Sequence, residues 1–312
     1  MSRTVILDCD PGHDDAIALL LAAGSDLRIA AVTTVAGNQT IEKVTRNARA
    51  VATLAGITAP VAAGCTRPLV RPVEIAPDIH GETGLDGPEL PVPTVELDPR
   101  HGVDLIIDTV MAAPAGEITL VPTGPLTNIA LAARKEPRIV ERVREVVLMG
   151  GGVHGGNWSA TAEFNILVDP EAAHVVFHEP WPVTMIGIDV THRALATPEV
   201  VARIEALGTP TGDFVGELLE FFTATNRDAQ GFEYPPVHDP CAVAYVIDPT
   251  IFEVRRAPLS VELTGALTVG MTVADLRFPA PPDCHTQVAL GIDVERFWDT
   301  VVAALARLGS RP

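Results

Sequence analysis

Lysine is almost missing from this 312-residue chain, which holds only Lys43 and Lys135. Lysine and arginine together number 22 against 40 acidic residues, a formal charge of −18. Such a surface repels nucleic acid, and no basic run interrupts it. It also favours a neutral substrate over a phosphorylated one. Cysteine is scarce too. Cys9, Cys65, Cys241 and Cys284 form no C-x-x-C pair, which argues against thiolate zinc sites and dithiol redox motifs. They read as reduced core thiols. No apolar run is long enough to span a bilayer. The start, Met1-Ser2-Arg3-Thr4-Val5-Ile6-Leu7, enters an acidic cluster without signal-peptide architecture. A cytoplasmic protein with no membrane partner is expected. The sequon Asn38-Gln39-Thr40 carries little weight without a secretion signal.

Hydrophobic residues make up 47% of the chain, ample for a large core. Short β-branched runs alternate with helical patterns. Strands are expected at Val5-Ile6-Leu7, 29–33, 118–121, 146–149 and 183–188. Helices are expected at 14–23, 41–54, 105–111, 126–134 and 171–177. This rhythm predicts a doubly wound, mostly parallel α/β sheet, Rossmann-like, with helices on both faces. Residues 1–312 read as one domain. Pro68 to Pro99 reads as a long loop. Gly212 to Thr225 reads as a helix followed by an irregular tail. A hairpin is expected from 259–263 and 267–273, and a last helix over 294–308.

In such a sheet, ligands bind beyond the carboxyl ends of the strands. Strand after strand runs out there into polar loops: Asp8 to Asp15, Gly37-Asn38, Pro122-Thr123-Gly124-Pro125 and Met149-Gly150-Gly151-Gly152. Asp8, Asp10, Asp14 and Asp15 sit within eight residues. Carboxylates that close repel one another unless a cation neutralises them. Oxygen-only ligands suit Ca²⁺ or Mg²⁺ rather than zinc. A solvated acidic turn capping the next helix explains the cluster equally well when it is taken alone. An EF-hand loop does not fit, because Gly12 stands where a ligand is needed and Leu19 where the final Glu belongs. Val237-His238-Asp239-Pro240 can be a helix cap, or a remote metal ligand beside a proton donor. Thr123 is a turn residue or a carbonyl ligand for a hard cation. Asn157, Glu163 and Asn165 are a polar surface loop or the binding face for a polyhydroxyl ligand.

Residues 6–18, 35–38, 121–130, 146–152, 162–173 and 237–249 together resemble the nucleoside hydrolase family, inosine–uridine-preferring type. The likeness covers essentially the whole chain, including 263–275 and 285–288. It implies calcium-dependent hydrolysis of ribonucleosides to free base and ribose, for nucleoside salvage. The implied Ca²⁺ ligands are Asp10, Asp15, the Thr123 carbonyl and Asp239. Asp14, Asn38 and Asn165 would hold the ribose diol, and Asp239 would reach the 3′-hydroxyl. Asn157 and Glu163 would take the 5′ side, Met149 would line the sugar pocket, and Asp8 would support the loop from behind. Asp10 would act as general base, and His238 would protonate the departing base. A homo-oligomer, dimer or tetramer, is implied as well.

One stretch departs from the family pattern. Phe222 and Asn226 stand where the resembling enzymes carry tyrosines, so base preference is open. Phe232 and Tyr234 are candidate substitutes, and His80, on the loop from Pro68 to Pro99, is a candidate pocket residue. Three rivals stay open at this level. Asp8-x-Asp10 after a strand also suits a Mg²⁺-dependent aspartyl-nucleophile phosphatase, which would need a well-placed lysine. A non-catalytic calcium-dependent sugar-binding module would leave His238 without a role. Hydrolysis of another N-riboside would use the same residues.

Overall fold

A computed structural model describes residues 3–310. In chain order the elements are β1 (Thr4–Cys9), α1 (His13–Gly24), β2 (Arg28–Thr34), α2 (Ile41–Ala55), β3 (Val61–Ala63), α3 (Pro77–His80), α4 (Gly102–Ala112) and β4 (Ile118–Pro122). Then come α5 (Thr127–Lys135), β5 (Glu145–Met149), α6 (Phe164–Val168), α7 (Pro170–His178), β6 (Val183–Ile186), α8 (Ile188–Thr191), α9 (Pro198–Glu205) and α10 (Pro210–Gln230). The chain closes with α11 (Pro240–Ile247), β7 (Phe252–Arg256), β8 (Leu259–Val261), β9 (Thr272–Ala274), β10 (Thr286–Ile292) and α12 (Val294–Gly309). Eight strands form one sheet in the order β3-β2-β1-β4-β5-β6-β10-β7. All neighbours run parallel except β7, which pairs antiparallel to β10 at the edge. The α/β expectation therefore holds.

The central strands are apolar over most of their length because both faces are covered, with Thr119 in β4 and Thr184 in β6 as buried exceptions between apolar neighbours. Successive side chains alternate. Val5, Leu7 and Cys9 enter the core shared with α1, α2, α10, α11 and α12, while Ile6 enters the core shared with α4, α5 and α7. In β5, Val147 and Met149 take the first side and Val146 and Leu148 the second. A polar residue in the middle of any of these strands would meet apolar packing whichever way it faced.

Several elements differ from their expected form. The strand expected over 183–188 stops at Ile186, because Gly187 caps a short helix, α8. Helix α10 runs on to Gln230 and ends on Gly231 at φ +75°, the left-handed stop that glycine accepts. The second hairpin strand lies later than expected, at Thr272–Ala274. Glu262 accepts from the Thr264 and Gly265 amides and folds the intervening chain into a turn, leaving Leu267 exposed. Strands β3, β7 and β10 and helix α9 are additions. Strand β7 escapes a hydrophobicity reading because four of its five residues, Glu253 to Arg256, are solvent-exposed.

Candidate active site

Strand order reverses between β1 and β4, where connections depart in opposite directions. That switch point opens a crevice beyond the strand ends. Leu7 pairs with Val121 and Asp8 with Pro122, and the Thr123 amide donates to the Asp8 carbonyl at 2.8 Å. The loops after β1 and β4 therefore leave the sheet side by side. One cavity at this edge collects Asp14 from the start of α1, Asn38 and Thr123 from the loops after β2 and β4, Met149 from the end of β5, Asn165 from the start of α6 and Asp239 from the approach to α11. Residues far apart in sequence meet there because parallel strands all end on the same side.

Five carboxylates are buried at this edge: Asp8, Asp10, Asp14, Asp15 and Asp239. Oxygens of Asp14, Asp15 and Asp239 lie within 4.8 Å of one another. Asp15 is held by Thr123 Oγ1 at 2.7 Å, the Gly12 amide at 3.1 Å and Asn38 Nδ2 at 3.3 Å. Asp14 accepts from the His238 amide at 3.2 Å. Asp10 stands outside the close trio. Its Oδ2 takes the Asn38 amide at 2.7 Å, but its Oδ1 is buried with no partner. Gly37 and Gly124 press against this carboxylate so closely that a Cβ at either position would overlap it. Asp8 lies behind the cluster, bonded by Thr33 Oγ1 at 2.6 Å and Asn128 Nδ2 at 2.8 Å, which matches a supporting position.

Burial drives every one of these acids upward. Loss of hydration, then repulsion from Asp15, raises Asp14 to about 7 and Asp10 well above the carboxylate range. Desolvation lifts Asp8 to about 7 despite its two side-chain donors. Desolvation, then repulsion from Asp14, raises Asp239 strongly. Repulsion from Asp15 and Asp10 adds to the upward push on Asp239. No lysine or arginine lines the cavity among the described residues. Lys43 bonds the Glu82 carbonyl and Lys135 pairs with Asp104, both at the exposed surface, so the lysine a phosphatase would need is absent from the cavity. Carboxylate oxygens without cationic side chains, two of them (Asp8 Oδ2 and Asp10 Oδ1) unpartnered, fit a hard divalent cation.

The remaining expected residues converge as well. Glu163 caps α6, accepting from the Asn165, Ile166 and Gly151 amides at 2.9, 3.3 and 2.8 Å, and desolvation lifts it to about 7. Asn165 donates to the Thr123 carbonyl at 2.8 Å and to the Met149 carbonyl at 3.2 Å. Asn157 accepts from the Phe164 amide at 3.1 Å, which fixes its loop over the cavity. His238 lies against Thr191, Nδ1 to Oγ1 at 2.7 Å, and burial followed by the nearby His192 lowers it to about 3.

The other side of the cavity is formed by Ala76, Ile79, His80, Phe222, Asn226 and Gln230. His80 is thus a wall residue, whereas neither Phe232 nor Tyr234 lines the cavity. Phe232 instead packs edge-on against His192 at 5.1 Å. His13, Thr191, Asn128 and Gln230 are contributors that sequence reasoning missed. His13 is fully buried, stacked on Phe221 and Phe222 at 5.2 and 5.1 Å, with Nδ1 against His80 Nδ1 at 3.1 Å and Nε2 against the Asp86 carbonyl at 2.8 Å. Thr191 and Asn128 carried no signal, since each acts on a partner 47 or 120 residues away.

Fold and cavity together describe a doubly wound α/β protein with acids, amides and a histidine gathered at its switch point. Residues 5–299 match the family model for inosine-uridine preferring nucleoside hydrolases. The inosine-uridine preferring nucleoside hydrolase of Leishmania major is 56% identical over 312 residues, covering 99% of both chains. A pyrimidine-specific ribonucleoside hydrolase of Photobacterium profundum is 46% identical, covering 98% of this chain and 99% of its own. The solved structure of a purine-preferring ribonucleoside hydrolase from Gardnerella vaginalis superposes with a TM-score of 0.92 at 34% identity, covering 98% and 99%. The chain belongs to the inosine-uridine preferring nucleoside hydrolase family and is an N-glycosyl hydrolase. Among the described residues no helix is long and apolar enough to cross a membrane.

Proposed function

We propose that the chain, working as one domain over 1–312, hydrolyses ribonucleosides such as inosine and uridine to free base and ribose with Ca²⁺ bound. The observation that carries this reading is the buried, unpartnered Asp10 Oδ1 beside the Asp14–Asp15–Asp239 trio. Asp10, Asp15, Asp239 and the Thr123 carbonyl would hold the ion, and adding the ribose hydroxyls to these oxygens would give the high coordination number that favours Ca²⁺ over Mg²⁺. When bound, the ion supplies charge for the ribose diol and acidifies water.

The protein's own groups do the rest. Asp14, Asn38 and Asn165 hold the 2′- and 3′-hydroxyls, Asp239 adds a contact to the 3′ side, and Asn157 and Glu163 take the 5′ side. Met149 closes the sugar pocket. Asp10 accepts a proton from the attacking water. The water oxygen bonds the anomeric carbon as the C–N bond breaks, and the bonding pair leaves with the base. The surrounding anionic and carbonyl oxygens stabilise the oxocarbenium-like charge on the ribose. His238, neutral at rest because burial lowers it to about 3, is held through Nδ1 by Thr191. It would offer an N–H from its other ring nitrogen to the departing base as negative charge develops there, and would take a proton from solvent in return. A cytoplasmic homo-oligomer, dimer or tetramer, completes the reading on the strength of family membership.

Asp10→Asn should keep the fold and lose turnover by ~10³-fold or more, since general-base removal alone costs 10²–10⁴. 2′-Deoxynucleosides should be far poorer substrates than ribonucleosides. Substantial Asp10→Asn activity, or equal use of the deoxy forms, contradicts the assignment.

A further inference from the structure

The base side of the cavity holds an unexplained polar atom. Gln230 Oε1 is buried and has no hydrogen-bond partner, yet Gln230 lines the cavity. A buried acceptor left unmade costs roughly 1–3 kcal/mol, so native proteins rarely keep one without use. Phe222, Asn226 and Gln230 lie four residues apart along α10 and therefore share one face. All three line the cavity, so its wall reads ring, amide, amide. Asn226 is 1% exposed and donates Nδ2 to the Phe222 carbonyl at 3.0 Å. That bond ties its nitrogen to the helix and leaves its carbonyl oxygen to take an outside donor. The wall is also held in place. Phe222 stacks on His13 and His80 at 5.1 and 5.5 Å, and Thr225 Oγ1 bonds the Ile79 carbonyl at 2.8 Å. Arg227, the cation on this stretch, is exposed and turns to the Glu233 carbonyl.

We infer that Gln230, assisted by Asn226 one turn earlier, determines base specificity by accepting hydrogen bonds from an N–H or NH₂ group on the edge of the base. The inference rests on the nucleoside hydrolysis proposed above. A sugar seated on Asp14, Asn38 and Asn165 leaves its base to the apolar part of the cavity, where Ile79, Phe164 and Phe222 form one cluster with Trp158 packed against it. Two acceptors there, with no side-chain cation, select a ligand edge that donates. Hypoxanthine (N1–H), uracil (N3–H) and the amino groups of adenine and cytosine all qualify. Unsubstituted purine carries no such donor. A site built around a hydrogen bond rejects an analogue lacking it far more strongly than an apolar pocket rejects a change of size. The wall thus tolerates purines and pyrimidines alike but penalises a base without a donor.

The test compares kcat/KM for inosine and for unsubstituted purine riboside in wild type, Gln230→Leu and Gln230→Glu. The intrinsic lability of the two substrates cancels when their ratio is compared between variants. Wild type should favour inosine, and Gln230→Leu should compress that ratio by about tenfold, the value of one buried hydrogen bond. Gln230→Glu keeps an acceptor and should retain most of the ratio. If Leu at this position does not fold, Gln230→Ala, which needs no room, replaces it. An unchanged ratio in the Leu or Ala variant, with both substrates still hydrolysed, overturns the assignment of Gln230 alone. Failure of wild type to release base and ribose from any nucleoside overturns the underlying reading, and this inference with it.

Discussion

Burying acids without a counter-charge predicts that the divalent cation is a stabiliser as well as a cofactor. Ca²⁺ at 100 times its dissociation constant adds about 2.7 kcal/mol of stability through binding linkage. At about 2.1 cal/mol/K per residue, a 312-residue chain unfolds with an entropy near 0.66 kcal/mol/K. The melting temperature should therefore rise by about 4 °C between chelator and saturating Ca²⁺. The chelated protein should also respond to pH in a defined direction. Asp8 and Asp14 have folded values near 7, above their ordinary 3.8, and Asp10 and Asp239 are raised well above theirs by the same loss of hydration. Below the folded value these groups are protonated and their repulsion is relieved, so stability should rise as pH falls from about 8.5 to about 6.5. The buried histidines, whose folded values are lowered, work in the opposite sense only below about 6.5. Asp239→Asn removes a carboxyl that burial forces to take up a proton, so it should melt higher than wild type in chelator while losing the Ca²⁺ shift. Scanning calorimetry across these conditions measures all three effects. A wild-type melting point indifferent to Ca²⁺, or an Asp239→Asn variant less stable than wild type in chelator, would refute the reasoning.

Gly37→Ala and Gly124→Ala each place a methyl group against the Asp10 carboxylate. Both should cut kcat by ~10²-fold or more, the cost of misplacing a catalytic group by about an ångström, measured at saturating inosine. Asn128→Ala removes donors to Asp8 and to the Thr34 carbonyl and the acceptor for the Cys65 amide, at 2.8, 2.9 and 2.9 Å. It should cost about 3 kcal/mol, read as a fall of about 5 °C in melting temperature. Thr191→Val deletes the hydroxyl on His238 Nδ1. It should lower kcat several-fold with KM little changed, and a wild-type kcat would remove Thr191 from the leaving-group step.

The core was legible because alternation and helical periodicity are local. The strands at Val5-Ile6-Leu7, 118–121 and 146–149 and the helices at 41–54 and 294–308 lie within a residue or two of their final bounds. Strands β3 and β7 were not legible. One is three residues long, and the other is an exposed edge whose pairing with β10 supplies what its composition does not. The meeting of Asp14, Asn38, Thr123, Asn165 and Asp239 could be anticipated from where parallel strands end. The His13–His80 contact could not, because it depends on how the loop containing α3 folds back over α1. For the same reason the tail after Thr225 was read as irregular, although its last helical turn carries Gln230 into the cavity.

Cleavage of the N-glycosidic bond should depend on the cation. Inosine should be incubated with the protein and free hypoxanthine and ribose quantified together. Equal amounts of both should form with Ca²⁺ present, none above background after chelation, and full release again on restoring Ca²⁺. Undiminished release in chelator, or base released without an equal amount of ribose, would contradict the account.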